Sequence, residues 1–75
     1  MTNEYNLPPS EDRIIREAER LRLTSISRSQ AFQLERRGLH PKRIRLGNRS
    51  VGWSFNSIMN WIRSRTTVEA YKEAD

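Results

Sequence analysis

Apolar residues recur at helical spacing in three stretches of this 75-residue chain. The segment 16–23 has only a narrow apolar stripe, which predicts a helix that buries one side; Ile14 and Ile15 are expected to lead into it. A second helix is predicted over 28–37 and a third over 55 to about 65. The third has the strongest stripe, made of Phe55, Ile58, Trp61 and Ile62. The chain is therefore expected to be mainly α-helical.

Capping residues define the ends of the second and third predicted helices. The polar segment 24–27 breaks the first helix, and Ser27 with Gln30 forms a capping-box pattern that starts the second. Gly38 follows the second helix as its C′ residue. Ser54 is the expected cap of the third helix. Two short helices joined by a tight turn indicate a helix-turn-helix.

The second predicted helix has two different faces. Ala31 and Leu34 point inward, with Glu35 at the border of that face. The opposite face carries serine, glutamine and arginine, the side chains that hydrogen-bond base edges and phosphates. Its members are Ser29, Gln33 and Arg36, flanked by Gln30, Arg37 and Phe32. A polar face that merely contacts solvent is the alternative explanation.

A hairpin is predicted after Pro41, which excludes continuation of the second helix. Arg43 and Arg45 alternate with Ile44 and Leu46, a period of two that is typical of a half-buried strand. A turn centred on residues 48–49 makes the apolar face continuous across both strands, and a four-residue loop over 47–50 is the alternative. The first turn pairs Leu46 with Val51, Ile44 with Trp53 and Arg45 with Gly52.

The net charge of +5 is unevenly distributed along the chain. Residues 1–12 carry three acidic and no basic side chains, and residues 66–75 have a net charge of −2. Residues 13–65 hold thirteen basic residues against three acidic ones, a net charge of +10. We therefore expect a flexible arm over 1–12, one folded domain over 13–65 and an acidic tail over 66–75, with any negatively charged partner bound by the domain.

Twelve of the fourteen basic residues are arginine, whose planar guanidinium matches phosphate oxygens and the guanine edge. This favours nucleic acid as the partner. The alternative is a codon preference for arginine, which would give the same number of arginines on a surface without a binding function.

Cysteine is absent and His40 is the single histidine, so no disulfide or cysteine-ligated metal is expected, and no nucleophile–base set is evident. We expect no metal, no cofactor and no enzymatic activity. His40 is interpreted as a capping or packing residue, and Trp53 and Trp61 as core anchors. No apolar run reaches the length of a membrane span, and the acidic N-terminal segment is unlike a signal peptide. These features predict a soluble, cytoplasmic protein with no membrane partner.

The order helix, turn, helix, hairpin, helix, with "SISRS", "RLGNRSVGW" and "SIMNWI" at these spacings, resembles the AlpA-type prophage regulatory proteins. That family overlaps with phage excisionases of the MerR-like winged-helix class. The resemblance spans 13–65 and implies a mainly α fold with a small β-hairpin, a winged helix-turn-helix. Four positions depart from the family pattern, which has glycine at 25, phenylalanine at 40, a β-branched residue at 20 and an apolar residue at 35. Arg20 is expected to bury its stem and pair with Glu35.

The resemblance implies that the second helix enters the major groove of DNA and that the hairpin is a wing along the backbone or in the minor groove. On the helix, the implied DNA-binding residues are Ser27, Arg28, Ser29, Gln30, Gln33, Arg36 and Arg37. On the wing they are Lys42, Arg43, Arg45, Asn48 and Arg49.

By the same resemblance, the protein is expected to be a sequence-specific DNA-binding protein of phage or prophage type. It would act as a transcriptional regulator, or as an excisionase that binds and bends DNA at attachment sites, or as both. Double-stranded DNA is the implied partner, with further copies on adjacent sites and a phage integrase as additional ones, and the implied location is the nucleoid. An adaptor that binds an acidic protein through a winged-helix scaffold is the alternative from another functional class.

Overall fold

A computed structural model describes residues 11–68 of the chain. Its elements, in chain order, are β1 (Ile14–Ile15), α1 (Glu17–Thr24), α2 (Arg28–Arg36), β2 (Ile44–Arg45), β3 (Val51–Ser54) and α3 (Phe55–Arg63). The three helices and the hairpin lie where the sequence predicts them, and the winged helix-turn-helix is confirmed. None of the helices within 11–68 is long and apolar enough to cross a membrane.

A third strand, β1, was not predicted. The sheet is antiparallel with the order β1-β3-β2, so β3 is its central strand. Ile15 pairs with Trp53, and both side chains are almost completely buried. The sequence suggested instead that Ile14 and Ile15 lead directly into α1. Two residues are too few to show the alternation that identifies a strand, and the pairing with β3 depends on residues about forty positions away.

The predicted hairpin register is wrong by one residue. Ile44 pairs with Gly52 and Arg45 with Val51, and the Leu46 amide donates to the Ser50 carbonyl at 2.8 Å. Three residues, 47–49, therefore form the turn. Since a shift of one residue moves every side chain of a strand to the other face, Arg45 shares a face with Val51, and Ile44 shares one with Gly52.

The position of β1 explains this register. A Cβ atom on Gly52 would lie 2.6 Å from Cγ2 of Ile14, 2.8 Å from the Ile15 carbonyl oxygen and 3.2 Å from Cδ1 of Leu46. The apolar side chains Ile14 and Leu46 thus close over the bare backbone of Gly52. The pattern of the two hairpin strands does not predict the packing of Ile14 and Leu46 over Gly52, because that packing depends on the third strand, β1.

The core lies between the inner face of the sheet and the helices. Ile15, Trp53 and Ile58 form its centre, and Leu23, Phe32, Phe55 and Ile62 pack against them. Trp53 is a core anchor as predicted, whereas Trp61 is only partly buried.

The predicted helix caps are present. The Ser27 hydroxyl accepts from the Gln30 amide at 3.2 Å, and the Ser54 hydroxyl accepts from the Ser57 amide at 3.0 Å. Gly38 follows α2 with a φ of 75°, as expected of a C′ residue.

The turn between α1 and α2 is built around a buried arginine. Arg20 is 0% exposed and donates to both carboxylate oxygens of Glu17, at 2.9 and 2.7 Å, so the expected pairing with Glu35 is wrong. Arg20 also donates to the Ile26 carbonyl at 3.0 Å. Ser25 has the left-handed conformation, with a φ of 60°, at the position where the family pattern has glycine. The Arg20 side chain therefore links Glu17, in the first turn of α1, to Ile26, in the turn that joins α1 to α2.

Asp12 belongs to the folded part of the chain, although the sequence analysis placed it in the arm. Its carboxylate accepts from the Ser54 hydroxyl and from the backbone amide of Asn56, so it lies at the start of α3. Burial raises the pKa of Asp12, but the hydrogen bonds from Ser54, Asn56 and Arg13 together outweigh burial and lower the pKa. Apart from residues 11–12 and 66–68, the predicted arm and acidic tail lie outside the described residues.

Candidate nucleic-acid interface

The outward face of α2 is an open polar surface. Ala31 is buried against the rest of the domain, which orients the remaining side chains of the helix. Phe32, predicted at the flank of this face, is half-buried and packs against the core instead. The other helix residues implied for DNA binding are exposed: Arg28, Ser29, Gln30, Gln33, Arg36 and Arg37. Ser27, the remaining predicted residue, is exposed as well, but its hydroxyl accepts the cap hydrogen bond from Gln30. Six predicted helix residues are therefore available to a ligand at the same time.

The hairpin arginines face the same side as α2. A groove of about 450 Å³ separates the helix from the hairpin. Glu35 lines it on the helix side, and Arg43, Arg45, Asn48 and Arg49 line it on the hairpin side. Lys42 is exposed but does not line this groove. Arg45 lines the groove because the observed register puts its side chain on the same face of the hairpin as that of Val51.

Phe32 connects α2 to the hairpin. The Arg28 guanidinium lies 5.1 Å from the centre of the Phe32 ring, and the Arg43 guanidinium lies 4.1 Å from the same centre. Both distances are within the range of cation–π attraction. Because Arg28 is on α2 and Arg43 precedes β2, the Phe32 ring joins side chains from two separate elements.

Glu35 pairs with Arg43. Its Oε1 lies 3.0 Å from Nε of Arg43, and its Oε2 accepts from the Arg43 backbone amide at 3.3 Å. The Glu35 side chain is 15% exposed and that of Arg43 is 40% exposed. Sequence reasoning missed this pair because eight residues and a change of direction separate the partners, a spacing that carries no periodic signal.

His40 packs the connection between α2 and β2 onto α3. Its ring centre lies 4.9 Å from that of Trp61, and its Nδ1 is 2.9 Å from the Pro41 carbonyl oxygen. Trp61 in turn donates from Nε1 to the Leu39 carbonyl at 2.8 Å. Burial lowers the pKa of His40, an effect that its contact with the Pro41 carbonyl only partly offsets. The predicted packing role is thus confirmed, and it anchors the chain segment from which the hairpin starts.

Within 11–68, no three histidine, cysteine, aspartate or glutamate side chains come together in a way that could hold a metal ion.

Comparison with known proteins identifies the family. The family described as "Prophage CP4-57 regulatory protein (AlpA)" matches residues 13–66. ORF88, an uncharacterized protein of Enterobacteria phage P4, is 30% identical over 56 residues, which are 75% of this chain and 64% of the length of that protein. No solved structure matches the chain. Since the family match covers the helix-turn-helix, the hairpin and α3, the chain belongs to the AlpA family of prophage regulatory proteins.

Proposed function

We propose that this protein binds specific sequences in double-stranded DNA, with α2 in the major groove and the hairpin on the phosphate backbone. The observation that carries the proposal is the groove between α2 and the hairpin, which Arg45 and Arg49 line beside a helix whose serine, glutamine and arginine side chains are exposed. The surrounding segment, 13–65, has a net charge of +10, which suits a polyanion.

The dimensions of α2 support insertion into the major groove. An α-helix with its side chains is about 10–12 Å across, which fits the major groove at roughly 12 Å wide, and the nine residues of α2 give a length of roughly 14 Å along it. Gln33 is placed to read adenine, and Arg37 is placed to read guanine, through paired hydrogen bonds. Ser29 and Gln30 are further candidates for base edges. Arg28 at the start of the helix and Arg36 in its last turn suit phosphates.

The hairpin supplies the sequence-independent part of the proposed contact. Arg45 and Arg49 are exposed on the groove, and Asn48 lies at the tip of the turn between them. Lys42 extends the basic surface toward the loop that precedes β2. Such contacts position a protein on DNA and make its affinity strongly dependent on salt.

Two uses of this chemistry fit a prophage regulatory protein. As a transcriptional regulator, the protein would bind near a promoter; as an excisionase, it would load several copies on repeated sites, bend the DNA and contact an integrase. The acidic C-terminal residues suit contacts to the basic surface of a neighbouring copy. Both uses place the protein in the cytoplasm, on the nucleoid. Footprinting over the prophage ends and promoters separates them, because repeated protection inside an attachment site indicates an excisionase and a single promoter site indicates a regulator.

Two substitutions should separate base recognition from backbone binding. Gln33→Ala is expected to weaken binding to the specific site by about 1–3 kcal/mol and to leave random duplex largely unaffected. Arg49→Ala is expected to weaken all duplexes alike and to lower the slope of log K against log salt by about one unit. Fluorescence anisotropy titrations at several salt concentrations measure both effects.

Asn60→Ala on α3 is the matched control, since Asn60 is an exposed amide outside α2 and the hairpin. It should leave both kinds of binding unchanged. Equal losses of specific and random binding in the Gln33 variant would exclude Gln33 from base recognition. No binding of the wild type to any duplex at low salt would contradict the DNA hypothesis and favour an acidic protein partner.

A further inference from the structure

We infer that Glu35 is a specificity-determining residue, which neutralises Arg43 inside the groove and leaves Arg45 and Arg49 as the hairpin's sequence-independent phosphate contacts. The inference rests on the proposed DNA-binding function and refines it. Among the described residues, Glu35 is the one acidic side chain that lines the groove.

The Arg43 side chain already has interaction partners within the protein. Nε of its guanidinium faces Oε1 of Glu35 at 3.0 Å, and the planar group lies 4.1 Å from the centre of the Phe32 ring. The backbone amide of Arg43 holds the second carboxylate oxygen of Glu35 at 3.3 Å, so the carboxylate is fixed from two directions. A phosphate that recruits Arg43 would have to compete with a carboxylate that is only 15% exposed and already in place.

Arg45 and Arg49 have no comparable partner. Within the described part of the chain, the ion pairs involve Arg13, Arg20, Arg22 and Arg43, and none involves a residue of the turn or of β2. No carboxylate of the described residues therefore offsets the charge of either side chain in the groove. Their binding to phosphate displaces counterions from DNA, whereas binding through a neutral ion pair displaces none.

The fixed carboxylate of Glu35 also discriminates among ligands. It is a pure hydrogen-bond acceptor, which repels phosphate oxygens and attracts amino groups such as those on cytosine and adenine edges. Glu35 belongs to α2, the helix proposed to read bases, and it lines the groove between that helix and the hairpin. The ion pair thereby lowers the affinity for random DNA more than the affinity for the specific site.

The test is the salt dependence of binding to a random-sequence duplex by the full chain. Glu35→Gln keeps the shape of the side chain and releases the charge of Arg43. The slope of log K against log salt should therefore become steeper by about 0.9, and random-duplex affinity at 0.1 M salt should rise roughly eightfold. Specific affinity should rise less, so the ratio of specific to random binding should fall.

Two further variants make the result decisive. Glu11→Gln changes the net charge equally but lies near the start of α3, so its slope should match that of the wild type. The double variant Glu35→Gln/Arg43→Gln exchanges one neutral pair for another and should also match the wild type, with thermal melting used to check that each variant folds.

An unchanged or shallower slope in Glu35→Gln would overturn the inference. So would a shallower slope in the double variant, because it would show that Arg43 contacts phosphate in the wild type. Neither outcome affects the proposed function, because α2, Arg45 and Arg49 carry it; that function fails if the wild type binds no duplex.

Discussion

Replacing Glu17 with glutamine is expected to destabilise the fold by about 3 kcal/mol. Arg20 is 0% exposed, so removal of the carboxylate leaves a buried guanidinium with only the neutral acceptors Thr24 and Ile26. The same pairing lowers the pKa of Glu17, chiefly through the hydrogen bonds from Arg20. A loss near the lower end of the range for buried pairs is expected because the Glu17 side chain is 37% exposed and water can enter from its side. Chemical denaturation followed by circular dichroism measures this loss.

Glu19→Gln is the matched control on the same helix. Glu19 pairs with Arg13 and Arg22, both of which are exposed, so its replacement should cost much less stability than Glu17→Gln does. A double variant, Glu17→Gln/Arg20→Met, should regain part of the stability lost in Glu17→Gln, because it removes the buried charge together with its partner. Equal losses for Glu17→Gln and Glu19→Gln would show that Arg20 does not depend on the ion pair.

Gly52→Ala is expected to destabilise the protein by about 1–3 kcal/mol. The new methyl group would lie 2.8 Å from the Ile15 carbonyl oxygen, a backbone atom that the pairing of β1 with β3 holds in place. It would also lie 2.6 Å from Cγ2 of Ile14, so β1 must move away from β3 to admit it. Thermal melting measures the loss.

Gly47→Ala serves as the control for this substitution. Gly47 is exposed in the turn, and a methyl group there would have no atom within 4 Å. Its replacement should therefore change the stability by less than about 0.5 kcal/mol. If the two variants were equally stable, the close approach of β1 to Gly52 would be wrong, and with it the explanation of the hairpin register.

Local sequence signals predicted the helices and their caps. Ser27, Gly38 and Ser54 act on atoms within a few residues of themselves, so a single sequence is enough to place them. Most of the open face of α2 follows from the same local periodicity, which places Ala31 on the buried side of the helix.

The predictions that failed depend on partners far apart in the sequence. The strand β1 forms only because β3 lies beside it, and its presence shifts the hairpin register by one residue. Arg20 was assigned to Glu35 from the family pattern, whereas the geometry of one helical turn joins it to Glu17. Glu35 pairs instead with Arg43, and this pairing depends on the position of the hairpin beside α2.

The central claim is that α2 and the hairpin together form a DNA-binding surface, and amide chemical-shift mapping tests it most directly. The measurement uses the full ¹⁵N-labelled chain and a random-sequence duplex at low salt. The largest changes are expected at residues 28–37 of α2 and at residues 45–50 of the hairpin. Changes confined to β1 and α3, or no change at equimolar duplex, would contradict the claim.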